Sequence, residues 1–361
     1  MNIGIPKECR AGEARVGLIP AIVSLLIKNG HACYLETGAG ENSGFDDYDY
    51  ARVGAKILPT TQEVYQHADV ILKVLTPTLE EIAWMREGQT LMGLLGMVAA
   101  PDEARALQER RITAVAYEMI TADGENYPIL KTVSEVAGRM APYIAGMMSM
   151  HSQGGRGILL NGVPGVSAGE VVILGAGTVG VNAARGFLGL GAKVFILSPH
   201  VECLRKIDTM FEGRVTTMVS HAFNIAYTTR FADVVIGAAR VPGERAPRLL
   251  TREMLRTMRR NAAFIDFSID HGGCAETSRP TTLQEPLYVE EDVLHYCVPN
   301  VPGAVPRTST QAISNAAWPY IEAAVSLGVD AAIAQNPALE QGVVIRDGAV
   351  TNPQLAAFLK R

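Results

Sequence analysis

The sequence lacks the features typical of membrane, exported and nucleic-acid-binding proteins. Its 361 residues contain 32 Lys and Arg and 37 Asp and Glu, for a net charge of −5. Neither sign is concentrated into the basic patch that nucleic acid or an anionic membrane requires. No 18-residue window is apolar and free of charge, and the first residues, MNIGIPKECRAGE, contain no apolar signal-peptide core. We therefore expect a protein that neither spans membranes nor carries an export signal, and a small-molecule substrate.

Cysteine is scarce, and its spacing excludes a disulfide framework. The five cysteines are odd in number and form no C-x-x-C pair. This pattern predicts reduced thiols in a cytoplasmic protein. We predict no metal site.

The chain is too long for one ordinary core, so two domains are expected. Strand-like and helix-like runs alternate from residue 2 to about residue 130, and again from 171 to 270. This alternation predicts an α/β fold of two Rossmann-like domains with parallel sheets, linked by long helices. The linking helices are predicted over 133–150 and 311–327, and the remaining residues to 361 are expected to form a short helical appendage.

A glycine-rich turn follows the strand-like run Val171–Leu174. Its sequence is Gly175-Ala176-Gly177-Thr178-Val179-Gly180, and an Ala-rich helical pattern comes next. A strand, this spacing and a helix together predict a dinucleotide site, in which the helix N-terminus meets a pyrophosphate. A turn with a purely structural role is the alternative.

Two further strand-like runs end in residues expected near the cofactor. The run 232–238 ends at Ala238, and the run 262–269 is followed by Asp270. The carboxyl ends of parallel strands border the ligand crevice in such sheets, so both residues are predicted to lie near the cofactor or the reacting atoms.

The sequence resembles the alanine dehydrogenases, within the group that also contains the nicotinamide nucleotide transhydrogenase α subunit. The matching segments are 4–8 (GIPKE), 13–16 (EARV), 36–41 (ETGAGE), 134–139 (SEVAGR), 153–157, 175–180, 270–274 (DHGGC), 278–282 (SRPTT) and 300–310 (NVPGAVPRTST). The resemblance implies a discontinuous substrate domain, residues 1–130 plus 305–361, and a dinucleotide-binding domain, residues 131–304. It also implies a homo-oligomer, typically a hexamer.

The resemblance assigns roles to individual residues. Arg15 matches an arginine that holds the substrate carboxylate, Asp270 the aspartate after the last cofactor-domain strand, and Asn300 an active-site asparagine. For the first two, a solvated loop arginine and a helix cap are the alternatives. The predicted cofactor-binding set adds Ser134, Thr178, Val179, Ser220 and Ala238 to the three glycines.

Two catalytic positions of the family are replaced. Where the family has Lys-Val-Lys-Glu-Pro, this chain has Lys73-Val74-Leu75-Thr76-Pro77, and where it has Leu-His-Leu, this chain has Leu95-Gly96-Met97. Loss of a positioned general acid or base costs on the order of 100-fold to 10,000-fold in rate. We therefore expect poor alanine dehydrogenase activity and a roomier, more apolar pocket for a bulkier substrate.

Three residues are candidates to restore the missing chemistry. Lys131 precedes the Ser-Glu-Val-Ala-Gly segment, and His271 follows Asp270 where the family has glutamine. Strand alternation predicts Lys73 on the same face as Leu75, one step away. A solvated lysine at 131 and a structural histidine at 271 remain the alternatives.

The adenosine end of the cofactor site also departs from the pattern. The acidic residue expected after the second strand is Ser198, and His200, Arg205 and Lys206 follow. Without a carboxylate, the 2′-phosphate of NADP is no longer repelled. The predicted cofactor is therefore NAD or NADP, with Ser198 and Arg205 in the site. The alternatives are a relaxed site that binds either nucleotide and a degenerate site that binds neither.

Three functions follow from these observations. The first is an NAD(P)-dependent oxidoreductase that acts on an amino acid, imine or 2-oxo acid bulkier than alanine or pyruvate. The second is a non-catalytic nucleotide-binding or regulatory homologue. The third, an ordinary alanine dehydrogenase, is disfavoured by Leu75 and Gly96.

Overall fold

The computed structural model describes residues 1–240 and 245–359 and divides the chain into two compact units. The discontinuous unit comprises Met1–Val133 and Gly303–Arg361, and the central unit comprises Ser134–Pro302. These boundaries lie within three residues of the domains predicted from the sequence. Both units are α/β, and the predicted fold class is confirmed by a solved structure of the same architecture, described below.

The discontinuous unit is built on an eight-stranded sheet of order β15-β14-β6-β5-β4-β1-β2-β3. Its first segment contains β1 (Asn2–Ile5), α1 (Pro20–Lys28), β2 (Ala32–Glu36), α2 (Asp47–Ala51), β3 (Lys56–Leu58), α3 (Thr61–His67), β4 (Val70–Leu75), α4 (Leu79–Ala83), β5 (Thr90–Leu94), α5 (Pro101–Glu109) and β6 (Thr113–Ala116). The strands from β3 to β6 pair in parallel. The C-terminal ends of β4 and β5 therefore lie side by side.

The central unit is built on a seven-stranded sheet of order β12-β13-β11-β10-β7-β8-β9. Helix α6 (Pro128–Ser149) leads into it from the first segment. Its own elements are β7 (Glu170–Leu174), α7 (Thr178–Leu190), β8 (Lys193–Ser198), α8 (Val201–Phe211), β9 (Thr216–Val219), α9 (Ala222–Thr229), β10 (Val234–Gly237), α10 (Arg252–Arg256), β11 (Ala263–Asp266), β12 (Leu287–Glu290) and β13 (Val293–Tyr296). All pairs are parallel except β12 with β13.

The C-terminal segment returns to the discontinuous unit, and part of its predicted structure is wrong. Its elements are α11 (Pro306–Leu327), α12 (Val329–Gln335), α13 (Pro337–Gly342), β14 (Val343–Arg346), β15 (Ala349–Val350) and α14 (Pro353–Leu359). The expected appendage was helical only, whereas β14 extends the sheet by antiparallel pairing with β6. The β-branched run of β14 favours a strand, but four residues are too few to show a clear period.

The two faces of each sheet carry separate cores, as alternation along buried strands requires. In β4, Val70, Leu72 and Val74 join a core that includes residues of α1 and α11, while Ile71 joins a second core with residues of α5. Helix α6 packs closely on α7 at Gly138, where a Cβ atom would lie 2.4 Å from the carbonyl oxygen of Val179. None of the described helices is long and apolar enough to cross a membrane.

Candidate active site

The glycine-rich turn between β7 and α7 has the geometry that a dinucleotide site needs. Gly175 has φ +123°, and a Cβ atom there would lie 2.3 Å from the carbonyl oxygen of Ala238. A Cβ atom at Gly180 would lie 2.0 Å from the carbonyl oxygen of Gly175. The first glycine therefore permits the turn, and the third permits close packing of α7 on the sheet.

The middle glycine faces open space. Gly177 is the N-cap of α7, no side chain caps the helix, and a Cβ atom at Gly177 would meet no atom within 4 Å. The first N–H groups of a helix lack intrahelical partners, and the helix dipole favours an anion there. Thr178 and Val179 form the first turn of α7, so the predicted pyrophosphate contacts have the right local structure.

The end of β8 lies beside the end of β9. Ser198 is 3% exposed, and its Oγ accepts a hydrogen bond from the backbone N–H of His200 at 3.3 Å. The backbone N–H of Ser220 donates to the carbonyl oxygen of Ser198 at 3.1 Å. The structure therefore brings two of the predicted cofactor residues, Ser198 and Ser220, together at one edge of the sheet.

The other predicted cofactor residues have different surroundings. Ala238 follows β10 and its backbone N–H donates to the carbonyl oxygen of Leu174 at 2.9 Å, which places it beside the glycine turn. Ser134 is half-buried on α6. Arg205 is exposed on α8 and forms an ion pair with Glu202, which disfavours its predicted role as a free phosphate ligand.

Asp270 and Asn300 meet in the central unit. Asp270 lies in a short 3₁₀ helix, residues 269–271, after β11. Its side chain is accessible to solvent, but the protein around it removes enough water to raise the pKa of the carboxyl group to about 6. The backbone N–H of Asn300 opposes that rise by donating to the carboxylate, and nearby Asp266 adds to it.

Asn300 itself has φ +53°, a left-handed conformation that asparagine tolerates better than most residues. This conformation presents its backbone N–H to Asp270. A carboxyl group that titrates near pH 6 in a partly wet site suits proton transfer at neutral pH.

Asp266, which the sequence analysis missed, organises the loop that carries Asp270. It ends β11, is 1% exposed, and its Oδ2 accepts hydrogen bonds from Ser278 Oγ at 2.6 Å and from the backbone N–H of Cys274 at 2.9 Å. Its Oδ1 accepts from the backbone N–H of Ser268 at 2.9 Å. A lone carboxylate at the end of the apolar strand AFID was the available signal.

His271 is half-buried beside Asp270. Burial and the positive charge of Arg240 lower the pKa of its imidazole. At neutral pH the ring is therefore uncharged, which is compatible with proton exchange but removes a permanent positive charge from this loop. Its catalytic role stays a prediction.

In the discontinuous unit, Arg15 is held by a neighbour in sequence. Its guanidinium is buried, with Nε 2.7 Å from Glu13 Oε1 and Nη2 2.5 Å from Glu13 Oε2. This paired contact fixes the orientation of the guanidinium plane. The predicted contact between Arg15 and a substrate carboxylate stays a prediction.

Lys73 has partners that the sequence analysis did not foresee. Its ammonium is fully buried, 2.6 Å from Glu81 Oε1 and 3.4 Å from Glu8 Oε2. Burial alone would lower the pKa of Lys73, but the charges of Glu8 and Glu81 outweigh it, so the pKa is raised and the lysine stays charged. The hydroxyl of Tyr65 also donates to Glu81, at 3.3 Å. These contacts give Lys73 a structural role, and they disfavour its predicted role as a substitute for the family lysine.

The prediction that the side chains of Lys73 and Leu75 lie on the same face of β4 is wrong. The pairing of β4 with β5 is irregular between Leu72 and Leu75. Leu75 packs against the core that contains Val74, whereas Lys73 points to Glu81 and Tyr65 on the other side. Strand alternation fails here because the strand is no longer regular.

Leu75 and Gly96 nevertheless lie at one edge of the sheet. Leu75 pairs with Leu94, and the hydroxyl of Thr76 donates to the carbonyl oxygen of Leu95. Gly96 has φ +49°, is exposed, and a Cβ atom there would meet no atom within 4 Å. The carboxylate of Glu118 accepts its backbone N–H at 2.6 Å. The side-chain space at position 96 is therefore open.

Lys131, the third candidate, is exposed in the second turn of α6. Among the described residues, no ion pair involves its ammonium. Its role in the site stays a prediction.

The glycine turn, the parallel sheets and the carboxylate after β11 are the features of a two-domain dinucleotide-binding protein. Family models agree: residues 4–137 match the N-terminal domain of "Alanine dehydrogenase/PNT" and residues 141–353 match its C-terminal domain. The chain therefore belongs to the alanine dehydrogenase/PNT family, and it is an oxidoreductase that uses NAD or NADP, as predicted.

Individual relatives cover nearly the whole chain. Alanine dehydrogenase of Mycobacterium tuberculosis is 42% identical over 360 residues, 99% of this chain and 97% of its own length. That of Bacillus subtilis is 43% identical over 99% of this chain and 95% of its own. A solved structure of L-alanine dehydrogenase superposes with a TM-score of 0.96 at 38% identity, covering 100% of this chain and 99% of that one. A transhydrogenase from Sinorhizobium meliloti shares the fold, with a TM-score of 0.84 at 23% identity over 98% of this chain and 99% of its own.

Proposed function

We propose that this protein is an NAD(P)-dependent dehydrogenase or reductase that acts on the C–N bond of an amino acid, or of the corresponding imine, bulkier than alanine. The observation that carries the proposal is the open space at Gly96, on the sheet edge that also holds Leu75. The family resemblance implies a histidine and a lysine at these positions, so here a polar, charged wall becomes an apolar one with added volume. A larger apolar side chain on the substrate gains from both changes.

The proposed chemistry assigns roles to three retained residues. The nicotinamide of the cofactor, when bound, accepts or delivers the hydride. Arg15 is assigned to the substrate carboxylate on the family resemblance alone, and Glu13 fixes the orientation of its guanidinium plane. Asp270 accepts the proton of the substrate ammonium in oxidation and returns it in reduction, and a pKa of about 6 supports both directions. Asn300 supports Asp270 through its backbone N–H.

An imine is the substrate that best tolerates the two replaced positions. Reductive amination of a 2-oxo acid requires ammonia addition and loss of water before hydride transfer, and both steps need acid–base help. Reduction of a preformed imine takes up one hydride and one proton, and oxidation of a secondary amine releases the same two. One carboxyl group with a raised pKa, that of Asp270, is sufficient to transfer a single proton.

The test is a screen of the purified protein with NAD and NADP against L-alanine, larger aliphatic and aromatic L-amino acids and cyclic imino acids, followed by nucleotide absorbance. We expect turnover with a larger substrate and little with alanine. Turnover with alanine at a rate typical of its relatives would contradict the altered pocket.

The double variant Leu75→Lys/Gly96→His provides a sharper form of the same test. It restores the family pair, so oxidation of L-alanine is expected to rise by on the order of 100-fold or more. The control Leu75→Met/Gly96→Asn fills the same space without ammonium or imidazole, and asparagine tolerates the left-handed backbone at position 96. An equal rise in both variants would show that filled volume alone, not lost chemistry, limits alanine oxidation.

The loss of two catalytic positions also favours a second candidate, a nucleotide-binding homologue without turnover. Tight binding of a reduced cofactor with no reaction across the whole screen would support it. The hydrogen bonds of Asp266, which hold the loop that carries Asp270, argue for the enzyme.

A further inference from the structure

The adenosine side of the central sheet has an arrangement suited to a phosphate group. In dinucleotide sites of this type, a carboxylate after the second strand binds the 2′-hydroxyl of the adenosine ribose and repels a 2′-phosphate. Here that strand is β8, and it ends at Ser198, whose carbonyl oxygen accepts the N–H of Ser220 from the adjacent strand end. The position that discriminates NAD from NADP is therefore occupied by a neutral hydroxyl group.

The charges around this position also favour an anion. The segments 198–203 and 219–224 follow β8 and β9, and their only acidic residue is Glu202. Arg205 forms an ion pair with Glu202 and so compensates its charge. Two exposed histidines, His200 and His221, lie one on each segment. The two segments therefore bring two histidines and no uncompensated carboxylate to this edge of the sheet.

Hydrogen-bond donors are available at the same edge. Ser198 Oγ accepts from His200 N–H, and no acceptor for its hydroxyl proton is found among the described residues. His221 Nδ1 accepts the backbone N–H of Asn224 at 3.2 Å. A neutral imidazole that accepts at Nδ1 carries its hydrogen at Nε2, which is then a donor. Serine and imidazole donors are suitable ligands for phosphate oxygens.

We propose that the edge formed by Ser198, His200, Ser220 and His221 binds the 2′-phosphate of NADP(H), so that the protein prefers NADP(H) to NAD(H). This inference deepens the proposed function by specifying its cofactor. It depends on nucleotide binding only, and it holds whichever amine or imine is the substrate.

The first experiment is a fluorescence titration of the protein with NADPH and NADH, with no substrate present. We expect NADPH to bind tenfold or more tightly, about the effect of one hydrogen bond to a charged group. The advantage should shrink as salt is raised, because the extra phosphate contacts are at the surface. Equal affinities, or tighter NADH binding, would overturn the proposal.

Displacement of NADPH by fragments isolates the adenosine end. Adenosine 2′,5′-bisphosphate should compete better than adenosine 5′-diphosphate, since only the former carries a 2′-phosphate. The reverse order would overturn the proposal even if NADPH itself bound well.

Three variants assign the effect to residues. Ser198→Asp restores the carboxylate and still offers an acceptor to His200 N–H, so it should reverse the preference toward NADH. His221→Ala should weaken NADPH severalfold and leave NADH within about twofold. His151→Ala is the matched control, an exposed histidine before β7 in the same unit, and it should change neither. If His221→Ala and His151→Ala behave alike, His221 is excluded from the site.

The outcomes separate this inference from the proposed function. A clear NADPH preference with no turnover in the substrate screen would support the phosphate site and contradict the dehydrogenase. Turnover with equal use of both nucleotides would support the dehydrogenase and contradict the phosphate site.

Discussion

The two sheets differ in how they prepare their C-terminal edges for ligands. In the central unit, the edge of β7 depends on backbone: Gly175 permits a turn that a Cβ would block, and Gly177 leaves space before the N–H groups of α7. In the discontinuous unit, the edge of β4 and β5 depends on side chains, and this chain has Leu75 and Gly96 where the family resemblance implies lysine and histidine. Backbone geometry sets the class of cofactor, whereas the change of substrate that we propose would rest on two side-chain positions.

Two carboxylates, one in each unit, show the same contrast in electrostatics. Glu81 lies beside Lys73, and although burial raises its pKa, the lysine charge and hydrogen bond outweigh burial and lower it. No cation among the described residues contributes to the pKa of Asp270, which is raised to about 6. A paired carboxylate supports structure, whereas an unpaired one is available for proton transfer.

The largest expected effect comes from removing the unpaired carboxyl group. Asp270→Asn keeps the size of the side chain but cannot exchange a proton, so kcat/KM should fall on the order of 100-fold to 10,000-fold. In the wild type, kcat/KM for amine oxidation should rise with pH up to about 6, since the base form is needed, and for reduction it should fall above that pH. A variant with the same pH profile as the wild type would assign the titration to another group.

The same variant gives a test of stability. The folded-state pKa of Asp270 is above the unfolded value of about 3.9, so its contribution to stability is present at low pH and is lost as pH rises through about 6. Between these pH values the free energy of unfolding of the wild type should therefore decrease with pH more steeply than that of Asp270→Asn. Chemical denaturation at several pH values measures this.

Removing the paired cation should affect folding instead of chemistry. Lys73→Met leaves Glu8 and Glu81 buried without a counter-charge, which costs about 3–5 kcal/mol for comparable buried pairs. This loss of stability should be smaller at low pH, where the carboxylates of Glu8 and Glu81 are protonated. Leu75→Met on the same strand is the control, expected to cost less than about 1.5 kcal/mol. Equal stabilities for the two variants would contradict the structural assignment of Lys73.

The glycine turn allows folding and binding to be separated within one motif. Gly177→Ala adds a Cβ where no protein atom lies within 4 Å, so the melting temperature should be unchanged while affinity for NADPH and NADH falls about tenfold or more through collision with the pyrophosphate. Gly175→Ala should lower both the melting temperature and the nucleotide affinity, because φ is +123° and the added Cβ would clash with the carbonyl oxygen of Ala238. If Gly177→Ala bound nucleotide normally, the turn would be purely structural.

The sequence predicted the edge of the central sheet better than the edge of the other sheet, because the contacts at the second edge come from distant parts of the chain. The glycine spacing and the strand end before Asp270 are local patterns, and they predicted the cofactor turn and a carboxylate at the sheet edge. Asn300 came from the family resemblance, and its backbone contact with Asp270 was not predicted. The partners of Lys73 come from segments 65 and 8 residues away, and the irregular pairing after Leu72 defeats a face assignment based on period two. Strand β14 was missed because its partner, β6, is more than 200 residues away in sequence.

The smallest expected effect distinguishes backbone from side chain at Asn300. Its φ of +53° is tolerated by glycine, whereas alanine there should cost about 1–2 kcal/mol. Asn300→Gly keeps the backbone N–H that Asp270 accepts, so the pH at which kcat/KM changes should stay near 6. A rise in KM without a shift of that pH would then belong to the lost amide side chain, as expected if it contacts substrate. A shift of the pH profile in Asn300→Gly would instead show that the left-handed backbone is not enough to hold the hydrogen bond, and that the central unit also depends on a side chain at this edge.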